Sequence, residues 1–519
     1  MHGDEELTFP SLAVRLAEGQ RVRVSGQFIA GGWRVSTSGP SFDVISPTTE
    51  EPVATLRAAA QADVDAAVSA ARSAFRSKPW ADLSLDERAG VIERVCAKLE
   101  AQADHVARVQ TEQMGAPITA TRASVARRVA ANMRSNVKAA RQFPTRVLVD
   151  DNEGVTLVER RPIGVVGVIV PWNAPLSFEA DKVSAALLSG CSVVLKAAPE
   201  APLEAFALAA LFSECGLPPG ALNVVAGAGD VGEMVVSHPG VARVTFTGST
   251  AAGKRIAAIC AGRLAKVTLE LGGKSAGLIL RDADLDRAAT VVAMSNFGNA
   301  GQSCHALTRV LIPEGLETEF VDRVRAIAEA LVIGDPRRPE TQLGPLVSER
   351  QRSRVEGKLA LARQAGATVP VGGGRPRHLE KGWYVEPTVL TGVTNSMEVT
   401  REEIFGPVMS VLTYGTEDEA IAIANDSEYG LGGSVFTGDP DHGLEVARRI
   451  DTGMLAVNAW GMTRSAPFGG VKNSGVGREH GIWGLASCFE TYAIRPDPRS
   501  AAHLALAEGG GAAGPVLAE

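Results

Sequence analysis

The chain has 519 residues, 45% hydrophobic and 21% charged, so it can bury a sizeable core and is too apolar to be intrinsically disordered. At ~100–200 residues per domain, that length implies two to four lobes. Lys and Arg total 52 against 59 Asp and Glu, a net charge of −7, which argues against a dedicated nucleic-acid binder.

Residues 1–27 form a lead-in without a clear pattern. Residues 63–75 carry apolar side chains at helical spacing, with Asp63 as the expected N-cap, and 83–109 continue as helix. The rhythm then changes. Residues 163–170 (IGVVGVIV) are a β-branched run ended by Pro171 and read as a buried strand. Further strands are expected at 192–196, 222–226, 243–247 and 266–270, with helices at 180–189, 203–214, 231–237 and 254–261 between them. The alternation restarts after Gly273 with a helix at 285–300, a strand at 309–312, a helix at 316–331 and strands at 368–371, 387–390 and 408–414. Apolar strands alternating with helices build βαβ units and a parallel sheet covered on both faces. The fold class is therefore α/β, with two lobes meeting near residue 272 and no internal repeat. The Gly/Ala-rich end, 509–519, reads as loosely docked.

Six cysteines, at 96, 191, 215, 260, 304 and 488, form no CxxC pair and no disulfide scaffold. The acidic N-terminus lacks the basic and apolar regions of a signal peptide. The weakly polar stretch 183–195 is too short to span a bilayer. A cytoplasmic location with no membrane or nucleic-acid partner is expected. The histidines show no metal-ligand spacing, so no metal site is expected.

Gly227, Gly229 and Gly232 make a literal GxGxxG after a strand. A dinucleotide fingerprint of that kind needs an acid about 20 residues on. After Glu233 the next acid is Glu270, so that test fails and a plain packing turn competes. Gly248 and Ser249 form a second strand-to-helix turn whose free N–H groups suit a phosphate or an ordinary cap. Cys304, in GQSCH, differs from the other cysteines because glycine and polar residues surround it. A dyad with His305 is disfavoured because adjacent residues rarely face each other. Glu270 ends a strand before a glycine crossover, where α/β folds place ligands, although a solvated acid at a lobe boundary is the blander reading.

Together these stretches resemble the aldehyde dehydrogenase superfamily over residues 28–495. The matching motifs, in order, are PWNAP from Pro171, VLK ending at Lys196, GLPPG from Gly216, FTGS from Phe246, ELGGK from Glu270, GQSC ending at Cys304, EIFGP from Glu403 and PFGG from Pro467, followed by Lys472, Ser474 and Gly475. The resemblance implies two Rossmann-like lobes and a small β arm that bridges subunits in a homodimer or homotetramer. The nucleotide-binding lobe would span 28–144 and 163–272, the catalytic lobe 273–486 and the arm 145–162 and 487–496, with a flexible tail at 497–519.

It also implies NAD(P)-dependent oxidation of an aldehyde to its acid. Cys304 would be the nucleophile, Glu270 the general base and Asn173 the oxyanion donor. Lys196, Ser249, Glu403, Phe405 and Trp172 would hold the cofactor, with Gly229, Gly232, Phe246, Gly248, Leu271 and Gly272 lining its site. NAD is the expected cofactor and NADP stays open, because Pro199 replaces the Glu frequent in NAD-selective relatives and Glu200 follows it. Around the substrate, Ala174 and Ser177 leave room, with Phe178, Asp181, Trp460 and Thr463 nearby and Arg464 as a carboxylate-clamp candidate. A medium-chain or aromatic aldehyde is the leading substrate. A charged semialdehyde, or a non-catalytic protein on the same scaffold, are the alternatives. An Asp181 pointing into the tunnel would disfavour carboxylate-bearing semialdehydes.

Overall fold

The computed structural model describes residues 7–497 and Ser500. The tail expected at 497–519 therefore lies outside the described residues, apart from Asp497 and Ser500.

The architecture is α/β. The first large sheet has eight strands in the order Gly475–Val476, Lys266–Glu270, Arg243–Thr247, Val165–Ile169, Ser192–Ala197, Leu222–Ala226, Gly26–Ile29 and Gly32–Val35. Its five central strands are parallel and nearly all buried, which is why they read as continuous apolar runs. The chain starts at Val165–Ile169, adds two strands on one side, then returns to add two on the other. The resulting switch point, between Val165–Ile169 and Arg243–Thr247, opens a crevice at the carboxyl ends of the strands.

The second large sheet has seven strands in the order Thr368–Val371, Thr388–Thr391, Val408–Tyr414, Arg309–Pro313, Ala276–Ile279, Gly433–Phe436 and Ala456–Val457. Two buried apolar clusters flank each large sheet. A separate antiparallel sheet joins three strands, Arg146–Asp151, Gly154–Pro162 and Phe489–Ile494. Among the described residues no helix is long and apolar enough to cross a membrane.

Several local expectations need correction. The lead-in contains a helix, Phe9–Ala17, capped reciprocally by Thr8 and Ser11. The helix expected from Asp63 begins at Gln61, and the Asp63 carboxylate reaches back to accept the Ala60 N–H at 3.0 Å. The helix expected over 83–109 is two helices, Leu85–Ala101 and Ala103–Met114, separated by Gln102, whose ψ of 18° leaves the helical range. The helix expected over 285–300 stops at Phe297, because Asn299 and Ala300 take φ of 53° and turn the chain toward Cys304.

Candidate active site

The crevice at the switch point opens into a cavity of 710 Å³ that reaches the second lobe. Strand ends supply its floor. Trp172 and Asn173 follow Val165–Ile169, Lys196 lies in Ser192–Ala197, and Phe246 in Arg243–Thr247 is followed by Gly248 and Ser249. Leu271 and Gly272 follow Lys266–Glu270, and the opposite lobe contributes Glu403 and Phe405. All of these residues expected at the cofactor, together with Gly229 and Gly232, line this one cavity.

The helices Gly229–Ser237 and Thr250–Ala261 both begin at its wall, so unpaired N–H groups face it. Ser249 caps the second through a 3.4 Å bond from Ala252 N. Burial lowers Lys196 to about 8, while Glu200 and Asp230 work to raise it. Thr247 Oγ1 is buried and has no partner among the described residues. A long cavity with a lysine, two helix N-termini and an orphaned hydroxyl fits a dinucleotide. Glu200 lines it too, and the Arg350 guanidinium lies 3.5 Å from its carboxylate.

Glycine lets the lobes close on each other here. A Cβ on Gly272 would stand 2.6 Å from Glu403 Oε2, and one on Gly273 would stand 2.5 Å from the Cys304 carbonyl. Gly273 N–H donates to Glu403 Oε1 at 3.1 Å. Phe405 holds a φ of 60°, sparsely populated for a non-glycine, and meets the Trp172 ring edge-on at 5.4 Å.

A second cavity, of 600 Å³, shares Asn173 and Cys304 with the first. Ala174, Ser177, Phe178 and Asp181 form one wall and Trp460 another. Thr463 is not among the lining residues, but its neighbours Met462 and Arg464 are.

Cys304 alone among the described cysteines is not fully buried. Desolvation, then the charges of Glu403 and Glu270, push its thiol up to about 12. Glu270 is 2% exposed and neither carboxylate oxygen has a hydrogen-bond partner among the described residues. Burial first, then the nearby Glu479 charge, holds its carboxyl well above the usual range. A proton acceptor needs this kind of poising near neutral pH.

The geometric reason for disfavouring a His305 dyad does not hold, although the dyad stays disfavoured. Its Nδ1 lies 3.9 Å from Cys304 Sγ and 3.3 Å from Ser303 Oγ, so the two side chains do meet. The ring is stacked on Trp460 at 4.6 Å, and burial, then Arg128, lowers it to about 4, making it a weak base.

The sequence reading missed the buried Lys182–Glu479 ion pair, which also contacts Thr245 Oγ1 and feeds the charge around Glu270. It missed Arg128, Asn132 and His480 in the second cavity as well. Each lies outside any motif, and only the tertiary fold brings them in.

The Aldehyde dehydrogenase family model matches residues 33–494. Geranial dehydrogenase of Castellaniella defragrans is 42% identical, over 88% of this chain and 95% of its own length. The 3-succinoylsemialdehyde-pyridine dehydrogenase of a Pseudomonas species is 40% identical, over 90% and 97%. The NAD+ complex of a Mycobacterium tuberculosis aldehyde dehydrogenase superposes with a TM-score of 0.89 at 41% identity, covering 92% of this chain and 98% of that one.

Proposed function

The chain belongs to the aldehyde dehydrogenase family, and from that premise we propose that it oxidises an aldehyde larger than acetaldehyde to the free acid, with Cys304 as nucleophile. It is an NAD(P)-dependent aldehyde dehydrogenase, and NAD fits the NAD+ complexes among its structural neighbours. The observation that carries the mechanistic reading is the meeting of two cavities at Cys304 and Asn173, so that a reacting carbon there faces both.

The Cys304 thiol gives its proton to solvent or to Glu270, and the thiolate attacks the aldehyde carbonyl carbon and forms a thiohemiacetal. The oxyanion that develops is held by the Asn173 amide and the Cys304 backbone N–H. A dinucleotide held in the larger cavity would supply the hydride acceptor facing this carbon. A thioester then remains on Cys304. Glu270 takes a proton from water, whose oxygen attacks the thioester carbon and expels the Cys304 sulfur, releasing the acid. Lys196 and Glu403 would hold the cofactor, and the glycine crossover at Gly272 keeps Glu403 close.

The first sheet with its helices serves as the cofactor lobe and the second sheet as the catalytic lobe. The antiparallel sheet of Arg146–Asp151, Gly154–Pro162 and Phe489–Ile494 leaves free edges that suit pairing between subunits. Phe178, Trp460 and Phe468 give the second cavity apolar surface, which supports a medium-chain or aromatic substrate.

Cys304→Ala tests the reading. NADH formation from an aldehyde panel is expected to vanish while NAD+ still binds by calorimetry. Dehydrogenase activity retained in that variant would overturn it.

A further inference from the structure

The second cavity runs from Cys304 and Asn173 to a group of polar residues that the reaction does not use: Arg128, Asn132 and Arg464. Arg128 belongs to a run, 118–142, that contains no Asp or Glu. Three of the other four arginines of that run find carboxylates elsewhere, and Arg127 has none among the described residues. Arg122 pairs with Asp104, Arg134 with Glu93 and Glu100, and Arg141 with Asp86. Among the described residues no carboxylate pairs with Arg128 or with Arg464. Instead Arg464 donates to the Arg127 carbonyl, which brings two guanidinium groups to the same side of the cavity. Their mutual repulsion lowers Arg128, after desolvation. Both side chains are solvent-exposed, so water screens much of that repulsion, and the part that remains is relieved when an anion arrives between them.

The backbone shows a second irregularity at the same place. Val125–Ala130 is a π-helix between the α-helices Ile118–Ser124 and Ala131–Gln142. Such wide turns are rare and frequently found at functional sites, and they shift the side chains that follow out of helical register.

The acids of the cavity wall do not oppose an anion. Asp181 faces it, but His480 Nε2 lies 3.3 Å from its carboxylate and Asn136 Nδ2 donates to it at 3.0 Å. Glu479 is matched by the buried Lys182. Despite burial, the Asp181 charge raises His480, so a protonated His480 offsets the acid expected to repel carboxylate-bearing aldehydes, and no carboxylate among the described residues pairs with the two arginines.

We propose that the substrate carries a carboxylate at the end remote from its aldehyde, and that Arg128 and Arg464 hold it. This rests on the reading of Cys304 as the nucleophile of the second cavity. A planar guanidinium fork matches a carboxylate with two parallel hydrogen bonds, which an ammonium does not. Phe178, Met294, Trp460 and Phe468 stand among the same lining residues, so the body of the substrate is apolar or aromatic. The class is thus an ω-oxo acid or a formyl-substituted aromatic acid, and the product a dicarboxylate.

The test is a comparison of matched pairs: para-formylbenzoate against its methyl ester, and adipate semialdehyde against hexanal. The wild-type enzyme is expected to favour each carboxylate in kcat/KM by about tenfold or more, as charge-assisted hydrogen bonds imply. That preference is expected to fall as ionic strength rises. Arg128→Gln and Arg464→Gln should each reduce the ratio of carboxylate to neutral substrate, with Arg128→Lys between them and the wild type. If the wild type oxidises the neutral member of each pair as well as the acid, by a Cys304-dependent route, the clamp is wrong and the nucleophile reading stands. If oxidation persists in Cys304→Ala, the nucleophile reading itself fails. The wild-type ratio and its salt dependence decide the matter even if an arginine variant does not fold.

Discussion

Asn173 Nδ2 donates a 2.9 Å hydrogen bond to the carbonyl of Gln302, two residues before Cys304. The link is reciprocated, because Asn299 Nδ2 donates to the Asn173 carbonyl at 2.9 Å. The residue after the first-lobe strand is thus tied to the loop that carries the thiol in the second lobe. One amide proton of Asn173 spans the lobes, and the other takes no part in that link, as the proposed oxyanion role requires.

Asn173→Ala removes that donor and the tie together. Loss of one oxyanion donor costs about a hundred- to a thousandfold in kcat. Steady-state kinetics are expected to show a loss of at least that size, with a smaller change in NAD+ affinity. Wild-type kcat in this variant would remove Asn173 from the reaction.

Glu270→Gln is expected to keep a rapid burst of NADH and to lose steady-state turnover, since thioester hydrolysis needs the base whereas solvent can take the thiol proton before the burst. The pH profile follows from the raised carboxyl. Glu270 accepts a proton only when ionised, so wild-type turnover should be low below its raised pKa and rise through it, well above the usual carboxylate range. Glu479→Gln deletes a negative neighbour and leaves the Lys182 cation unmatched. Both effects favour ionised Glu270, so the rising limb should move to lower pH. Stopped-flow mixing and a kcat–pH series check both points. Loss of the burst in Glu270→Gln would shift its role to activating the thiol.

The cofactor prediction concerns Glu200. It lines the larger cavity, where Pro199 offers no charge, and it acts on Lys196. A carboxylate there repels a 2′-phosphate, and its partner Arg350 is exposed and only weakly engaged. Glu200→Gln removes the repulsion and frees Arg350. The kcat/KM ratio of NADP+ to NAD+ is expected to rise about tenfold, or 1.4 kcal/mol. An unchanged ratio would assign the discrimination elsewhere.

The sequence made the five parallel strands of the first lobe legible, because strands buried on both faces need unbroken β-branched runs. The strand Ala276–Ile279 escaped notice. Its AGLI is short and carries a glycine, so neither period stands out. Cys304, Glu270 and Asn173 were visible because strand ends and glycine turns carry them, and contiguous motifs preserve such features. Arg128, His480 and the Lys182–Glu479 pair were not. Each acts across a gap in sequence that only packing closes, and an arginine on a helix reads as a solvated face until the cavity beside it is seen.

The last prediction concerns two carboxyls in the core of the first lobe. Glu179, on the helix Pro175–Leu188, and Glu204, in the first turn of Leu203–Glu214, are both fully buried. None of their four carboxylate oxygens makes a hydrogen bond of good geometry among the described residues, although the Leu176 backbone lies close enough to Glu204 to oppose part of the rise. Desolvation raises both, to about 8 for Glu204, and the Glu204 charge raises Glu179 further. The folded protein therefore binds these protons more tightly than the unfolded chain, whose glutamates titrate near about 4.3. Stability from this source is fully present below the unfolded value and is lost as pH rises through the folded values. Wild-type thermal stability should thus decline from pH about 5 to pH about 9 on account of this pair. Glu204→Gln carries no proton to lose and also relieves Glu179, so its melting temperature should fall less over that range. The variant should gain on the wild type most at the alkaline end, and the gap should shrink toward pH about 5. Melting at one fixed scan rate across that pH series checks the sign, since unfolding of a chain this size is often irreversible. Parallel curves for the two proteins would show that the pair stays ionised in the fold, held by partners that the buried oxygens do not display. The helix at stake also carries Ser177, Phe178 and Asp181, so alkaline loosening of the pair should raise KM for the aldehyde before activity is lost.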